Sequence, residues 1–510
     1  MDWTEGYVAD IGYTFGYYPE LNPLRAKLAF LNAGIVCPEV QSACELGFGQ
    51  GLSINFHAAG STATWHGTDF NPTQAANAKE IGGLIGIESN LSNDAFNDFV
   101  TKNDLPDFDY IGLHGIWSWI SDENRQVITD FIAKKLKVGG VLYVSYNTLP
   151  GWASFAPMRH LLTEHAEVIG SEGRGIVSRI NDSLEFATKM LATSPNFLKS
   201  NPQVSERINN LKLQNRHYLA HEYFNKDWHP MHFATMASWL KSAKLQFACS
   251  ANYIDHVIAA TLTPAQSDFL KEIPDPLFRE SVRDFMVNQQ FRKDYWVKGS
   301  RPLSALEKAE LAWNHKVILL SEKADISLKL QGPAAEVKFN ETIYGGIIDI
   351  LSDFKPKTLG QLENELKGKG VNMAQLIEAA VVLVGMGHLS SVQDEPVISK
   401  VRKKTEKINQ FLMNKARSSN EYNFLVSPVI GGGFQVDKIN QLFTKSYLAG
   451  VKNTKELAKN TWELLAIQGQ KIVKEGKTLE LAEENLVELE SMAEKFLNSK
   501  VHIMKSLQII

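Results

Sequence analysis

Between Cys44 and Pro72 the chain reads CELGFGQGLSINFHAAGSTATWHGTDFNP. Gly47, Gly49 and Gly51 alternate with Phe48 and Gln50, a pattern that lets a backbone turn sharply and approach a ligand closely. A dinucleotide fingerprint has the spacing G-x-G-x-x-G, its third glycine allowing helix and strand to pack closely. Here the spacing is G-x-G-x-G. Glu45 stands just before the turn, where a carboxylate repels a pyrophosphate and suits a ligand carrying an ammonium and a sulfonium. Asp69, at the end of the next strand-like segment, is placed to accept hydrogen bonds from both hydroxyls of a ribose. Spacing and acid together favour S-adenosylmethionine over NAD. For the glycines alone, a tight strand-to-helix turn with no ligand is the plainer alternative.

Such residues work only where a fold brings strand ends together. VQSACELGF and TATWHGTDF read as strands, with GLSINFHAAG between them as a helix closed by Gly60. Asn71, Pro72 and Gln74 make a helix start: a cap, a proline in the first turn and a side chain able to reach back to the cap. DFDYIGLHG is a further strand, DENRQVITDFIAKKLK a helix, and GGVLYVSYN a fifth strand segment rich in β-branched and aromatic residues. This alternation predicts an α/β protein with a Rossmann-like core over residues 1–152.

Residues 153–215 read as a polar helical insertion. Residues 216–300 complete the first unit with strand-like HYLAHEYFN, helix PMHFATMASWLKSAK, strand-like LQFACSA and a helical stretch leading to a polar junction near Lys298–Pro302. Within 301–400, Thr358 with Gln361 and Asn372 with Gln375 have capping-box spacing. Helix NMAQLIEAAVVLVGMG and the strand-like HLSSVQ after it predict a winged-helix-like domain there. Residues 401–510 read as a mostly helical domain broken by the glycine loop SPVIGGGFQ. In it Leu486, Leu489, Ala493, Phe496 and Leu497 form one apolar stripe.

At 510 residues, 44% hydrophobic and 22% charged, the chain has the composition of a multidomain globular protein. A net charge of -4 gives no general attraction to a phosphate backbone or an anionic membrane. The expected recognition helix of the winged-helix-like part, Asn372–Gly385, has no lysine or arginine, which argues against nucleic acid as a partner. Cys37, Cys44 and Cys249 include no C-x-x-C pair and fit a reducing cytoplasm. The N-terminus has no signal-peptide pattern and no apolar run reaches spanning length, so no membrane insertion is expected. His221, Glu222, His229 and His232 lack the H-E-x-x-H spacing, and no metal is expected.

ELGFGQG resembles motif I of class I S-adenosylmethionine-dependent methyltransferases, with Asp69 where their second-strand acid sits. Ser92-Asn93-Asp94, with Ala95 and Phe96, resembles their third-strand adenine-binding motif. YTFGYYPELNP, LHGIWSWI, YVSYNTLPGW and HEYFN are similar to bacterial protein lysine methyltransferases of the rickettsial type, which carry a methyltransferase regulatory domain. The likeness spans most of residues 1–300 and thins beyond. The resemblance implies S-adenosylmethionine as cofactor, with Glu45, Gly47, Phe48, Gly49, Gly51, Asp69, Phe70, Asn93, Asp94, Ala95 and His114 around it. It also implies lysine side chains of a bacterial protein as acceptor, outer-membrane proteins among the candidates. A homodimer is left open.

Methyl transfer from a sulfonium needs the nucleophile in line at near-attack distance. A lysine acceptor must also lose its proton, from a reference pKa of about 10.4. A dry aromatic channel disfavours the ammonium. The candidates for such a channel are Tyr17, Tyr18, His114, Trp117, Tyr146 and Trp152, with Tyr7, Tyr13, Phe15 and Trp119 nearby in sequence. Ordinary packing explains any single one of the aromatic residues better than function does, and the clusters at strand ends equally well. Two other readings stay open: methylation of a small molecule or cell-envelope saccharide, and a non-catalytic docking or regulatory protein that retains the fold.

Overall fold

The computed structural model describes Tyr7, Gly12 and residues 14–333 and 336–510. Tyr13, one of the aromatic candidates, lies outside the described residues.

Seven strands form the central sheet: β1 (Ser42–Leu46), β2 (Thr64–Thr68), β3 (Leu91–Ser92), β4 (Phe108–Leu113), β5 (Leu136–Asn147), β6 (Leu245–Ser250) and β7 (Phe291–Lys298). Their order is β3-β2-β1-β4-β5-β7-β6. Neighbours run parallel except β7, which is antiparallel to both β5 and β6. The chain leaves β1 toward β2 and β3, then returns to β4 on the other side of β1. That reversal opens a crevice at the carboxyl ends of the strands, where ligands of such sheets bind. Alternate residues bury on opposite faces. Ala43, Tyr110, Val141, Tyr143 and Tyr295 face one core, and Cys44, Ile111, Leu142, Val144 and Trp296 the other.

The helices that position the crevice start where the sequence has caps. Asn22 accepts from Leu24 N–H at the head of α1 (Pro23–Ala33), and Asn71 accepts from Thr73 and Gln74 N–H at the head of α3 (Pro72–Gly83). Gln74 makes no return bond to the cap; it faces the crevice instead. Between β1 and β2, α2 (Leu52–Gly60) is buried along its whole length. Its second neighbour is the C-terminal part of the chain: the helix Glu395–Lys415 and the hairpin Phe424–Ser427/Gly432–Gln435 lie against it. The glycine loop expected to break that region is thus the turn of a hairpin.

Two further segments differ from the sequence reading. HYLAHEYFN is mostly helix, Arg216–Tyr223, capped by Asn215. Leu219, Ala220 and Tyr223, at helical spacing, bury against the helical insertion rather than in a sheet. In β7, a strand that the sequence reading did not assign, charged residues interrupt the apolar pattern although the strand lies inside the sheet. Arg292 is buried and forks to Asp294 Oδ2 at 2.9 Å, Asp284 Oδ1 at 2.6 Å and Glu280 Oε2 at 2.9 Å. The Tyr146 hydroxyl donates to the same Asp294 at 2.9 Å. In the 301–400 region both expected capping boxes form, Thr358 with Gln361 and Asn372 with Gln375. There a small antiparallel sheet joins Lys316–Leu319 to Lys357–Thr358 and Leu389–Ser391.

Arg292→Leu should cost about 3–5 kcal/mol, because it strands buried carboxylates. Burial lifts the Asp284 and Asp294 carboxyls above the usual range even with Arg292 present. A native carboxyl that holds its proton to higher pH than the unfolded chain loses stability as pH rises from about 4. Chemical denaturation of the variant should therefore show a larger deficit at pH 8 than at pH 5.

Candidate functional site

The glycine turn links β1 to α2, and its three glycines have different tasks. All are left-handed, with φ of 71° at Gly47, 57° at Gly49 and 78° at Gly51. A Cβ on Gly47 would meet Ile116 Cδ1 at 2.3 Å, and one on Gly51 would meet Ala78 Cβ at 2.3 Å. Gly51 thus serves helix packing and does not line the crevice. Gly49 has nothing nearer than Gln74 Oε1 at 3.9 Å, so its backbone is open toward the crevice.

The crevice is a cleft of about 590 Å³. It is lined by Glu45, Gly47, Phe48, Gly49 and Asp69 together with Tyr18, His114, Trp119, His221 and Glu222. A second cavity of about 540 Å³ adjoins it, lined by Phe70, Asp94, Ala95 and Phe96 and sharing Tyr7 and Trp119 with the cleft. Tyr7 spans the two, its ring 5.7 Å from Phe70 and 5.4 Å from His221.

The charges in the cleft follow from burial. Glu45 is 2% exposed and its Oε2 has no hydrogen-bond partner among the described residues. Burial, with Asp69 beside it, holds the Glu45 carboxyl well above its usual range. Asp69 accepts from Gly49 N–H at 2.8 Å and from Asn71 N–H at 3.0 Å. Burial still pushes its carboxyl up to about 7. His114 is held neutral by burial, its pKa down to about 3. Its Nδ1 lies 2.7 Å from the Tyr143 hydroxyl, and the Tyr18 ring stacks on the imidazole at 3.7 Å. Two carboxylates are therefore buried side by side with no cation between them, below a wall of rings.

Of the sequence candidates, Glu45, Gly47, Phe48, Gly49, Asp69, Tyr18 and His114 line the cleft, and Phe70, Asp94 and Ala95 line the adjoining cavity. Asn93 is exposed and lines neither. Four aromatic candidates lie elsewhere, each for a packing reason. Tyr17 is buried against the C-terminal hairpin, its ring 5.3 Å from Phe424. Trp117 fills the second core and donates from Nε1 to Met231 Sδ at 3.3 Å. Tyr146 points down into that core toward Asp294. Trp152 belongs to the core of the helical insertion, with the Arg207 guanidinium 4.0 Å above its ring.

Gln50, Gln74 and Ile116 also line the cleft, and the sequence reading assigned them no role there. Their signal was available: Gln50 stands inside the glycine turn, and Gln74 sits in the first turn of α3. Among the described residues no group of three or more His, Cys, Asp or Glu could hold a metal ion. His221 and Glu222 reach the cleft, His229 meets Asp227 at 3.3 Å, and His232 stacks on Phe285. No helix among the described residues is long and apolar enough to cross a membrane.

Comparison with known proteins places this architecture. The uncharacterised protein sll1526 of Synechocystis sp. is 38% identical over 514 residues, covering 100% of both chains. The chain belongs to the family of that cyanobacterial protein. The uncharacterised protein RP789 of Rickettsia prowazekii is 26% identical over 296 residues, which cover 56% of this chain and 51% of that one. Residues 215–298 match a family described as "Predicted methyltransferase regulatory domain". The structure of PKMT2 from Rickettsia typhi in complex with AdoHcy superposes with a TM-score of 0.64 at 18% identity, covering 96% of this chain and 98% of that one. The chain shares the fold of that structure over nearly the whole length of both.

Glu45 is expected to weaken the empty protein. Near neutral pH Glu45 must take up a proton to be buried, so Glu45→Gln removes that cost and should raise the free energy of unfolding by about 1–2 kcal/mol. Urea denaturation near neutral pH measures it, and an unchanged or lower midpoint would show that Glu45 has no such strain.

Proposed function

We propose that this chain transfers a methyl group from S-adenosylmethionine to the ε-amine of lysine residues in a protein acceptor. The observation that carries the reading is the buried Glu45 side chain, its Oε2 without a hydrogen-bond partner among the described residues, in a cleft that also holds Asp69 and Gly49. These residues fit the cofactor: a carboxylate for its cationic amino-acid end, Asp69 for the ribose hydroxyls, and the Phe70–Asp94–Ala95 cavity for the base. When bound, the cofactor supplies an electrophilic methyl on sulfur. The chain's own residues then position and desolvate the acceptor.

Glu222 and the rings of Tyr18 and Trp119, which also line the cleft, suit an incoming ammonium. Burial beside those rings lowers the amine's pKa, and the amine must be neutral to attack. His114 adds no positive charge there. The acceptor's size is argued from chain length: a small molecule needs only the cleft, while a protein needs a docking surface of about 800 Å². Residues 301–510 offer such a surface, and the three free cysteines suit work in a reducing compartment.

The test uses tritiated S-adenosylmethionine with an unfolded, lysine-containing polypeptide and with the same polypeptide after its amines are blocked by acetylation, which leaves amide nitrogens that accept no methyl group. Label should enter the first and not the second, and be recovered as methyllysine. Equal labelling of both, or label only in small molecules or saccharide, would overturn the lysine reading.

Cofactor binding should also be pH-dependent. Only the ionised Asp69 carboxylate can accept both ribose hydroxyls, and in the empty protein it keeps its proton up to about 7. The dissociation constant for S-adenosylhomocysteine should then rise about tenfold per pH unit below that value. Asp69→Asn should bind weakly at every pH, without this slope.

A further inference from the structure

Residues 14–18 run as an extended segment along the mouth of the cleft, and their side chains alternate between two neighbours. Thr14, Gly16 and Tyr18 line the cleft. Phe15 and Tyr17 face the C-terminal part of the chain. The Phe15 ring lies edge-on to Tyr422 at 4.9 Å, and Tyr17 packs among Phe56, His57 and Phe424 at 5.3–5.5 Å.

The Tyr17 side is closely fitted. Its hydroxyl is 3.2 Å from His57 Nε2. A Cβ on Gly432 of the hairpin would come within 2.3 Å of that hydroxyl oxygen, and one on Gly433 within 3.0 Å of the ring. Next along the chain, Asn22 donates to the carbonyls of Ile430 and Gly431 at 3.1 and 3.2 Å. The Tyr18 side is fitted as well. Tyr18 N–H donates to Ser53 Oγ at 2.9 Å, and its ring folds back over Gly16, where a Cβ would meet the Tyr18 hydroxyl at 2.5 Å. That ring is the one stacked on His114.

We propose that Tyr17 is a positioning residue: held by the C-terminal hairpin, it sets through the shared backbone where Tyr18 lies against His114 in the cleft. The hairpin touches neither cavity lining, yet it fixes one wall of the site. Displacing Tyr17 moves Tyr18 because the two are adjacent on an extended chain with no slack between their anchors.

The test begins with Gly432→Ala, whose new methyl collides with the Tyr17 oxygen. The structural arm is independent of what the protein catalyses. In protein labelled at histidine Cε1, the His114 resonance, assigned by His114→Gln, should lose the ring-current shift of the stacked Tyr18. Adding Tyr17→Phe removes the colliding oxygen and should restore the wild-type resonance. Gly16→Ala, which displaces Tyr18 from the cleft side, should shift the same resonance without touching the hairpin. Only the kinetic arm rests on the methyl-transfer reading. There Gly432→Ala should lower turnover on the lysine polypeptide by about 10–100-fold, the cost of a misplaced wall. S-adenosylhomocysteine affinity should stay near wild type, and Tyr17→Phe should again rescue turnover. Where Gly432→Ala does not fold, Gly433→Ala is the milder variant for the His114 resonance and the turnover; its methyl meets Tyr17 ring carbons at 3.0 Å, so there Tyr17→Phe should give no rescue and Tyr17→Leu takes its place. A Gly432→Ala protein with the wild-type His114 resonance, or a double variant no better than the single one, overturns the proposal. A restored resonance without any methyl transfer, even in wild type, would overturn the function and leave the positioning role standing.

Discussion

The constraint on which the site depends is the burial of two carboxylates at neighbouring strand ends. Glu45 closes β1 and Asp69 follows β2, and β1 pairs in parallel with β2 so that Glu45 stands opposite Gly67. A side chain at Gly67 would press on the Glu45 carbonyl at 2.7 Å and on Phe48 at 3.0 Å. Desolvating an unpaired carboxylate is costly, and the protein meets part of that cost by letting both hold protons more tightly than usual. Asp69 is partly compensated by two backbone N–H groups, whereas Glu45 Oε2 has no partner among the described residues. A cationic ligand completes this arrangement, and a pyrophosphate would worsen it.

The rest of the fold holds those strand ends still. α2 is enclosed by the sheet on one side and by the helix Glu395–Lys415 and the hairpin on the other. Gly60, at its end, abuts Gly431 so closely that a Cβ would lie 2.6 Å from the Gly431 carbonyl carbon. Gln393 ties the same place together, donating to the carbonyls of Gly60 and Pro428 at 2.6 and 2.7 Å. The C-terminal part therefore acts as the outer layer of the first unit. It is more than an appendage that could only dock a partner.

How much of this was legible in the sequence depends on how local the signal is. The strands with apolar alternation and the capped helices could be read directly, and so could the glycine turn with its two acids. β7 could not, because two of its buried positions, Arg292 and Asp294, are charged, and Arg292 is satisfied by Glu280 and Asp284, residues of a preceding helix. HYLAHEYFN misled because its aromatic and apolar residues fit a strand as well as a short helix, and only the partner helices decide. The aromatic candidates separate for the same reason. Tyr17 and Tyr18 are neighbours in sequence, yet one faces the hairpin and the other the cleft. Trp117 and Trp119 likewise divide between a core and the cleft wall. Residue type marked the candidates; only the direction of each side chain tells wall from core.

The most direct measurement is calorimetric titration of the intact chain at pH 8 with S-adenosylhomocysteine and, separately, with NAD. The account predicts a saturable one-site heat with S-adenosylhomocysteine and none with NAD. Binding of NAD with no response to S-adenosylhomocysteine would contradict it.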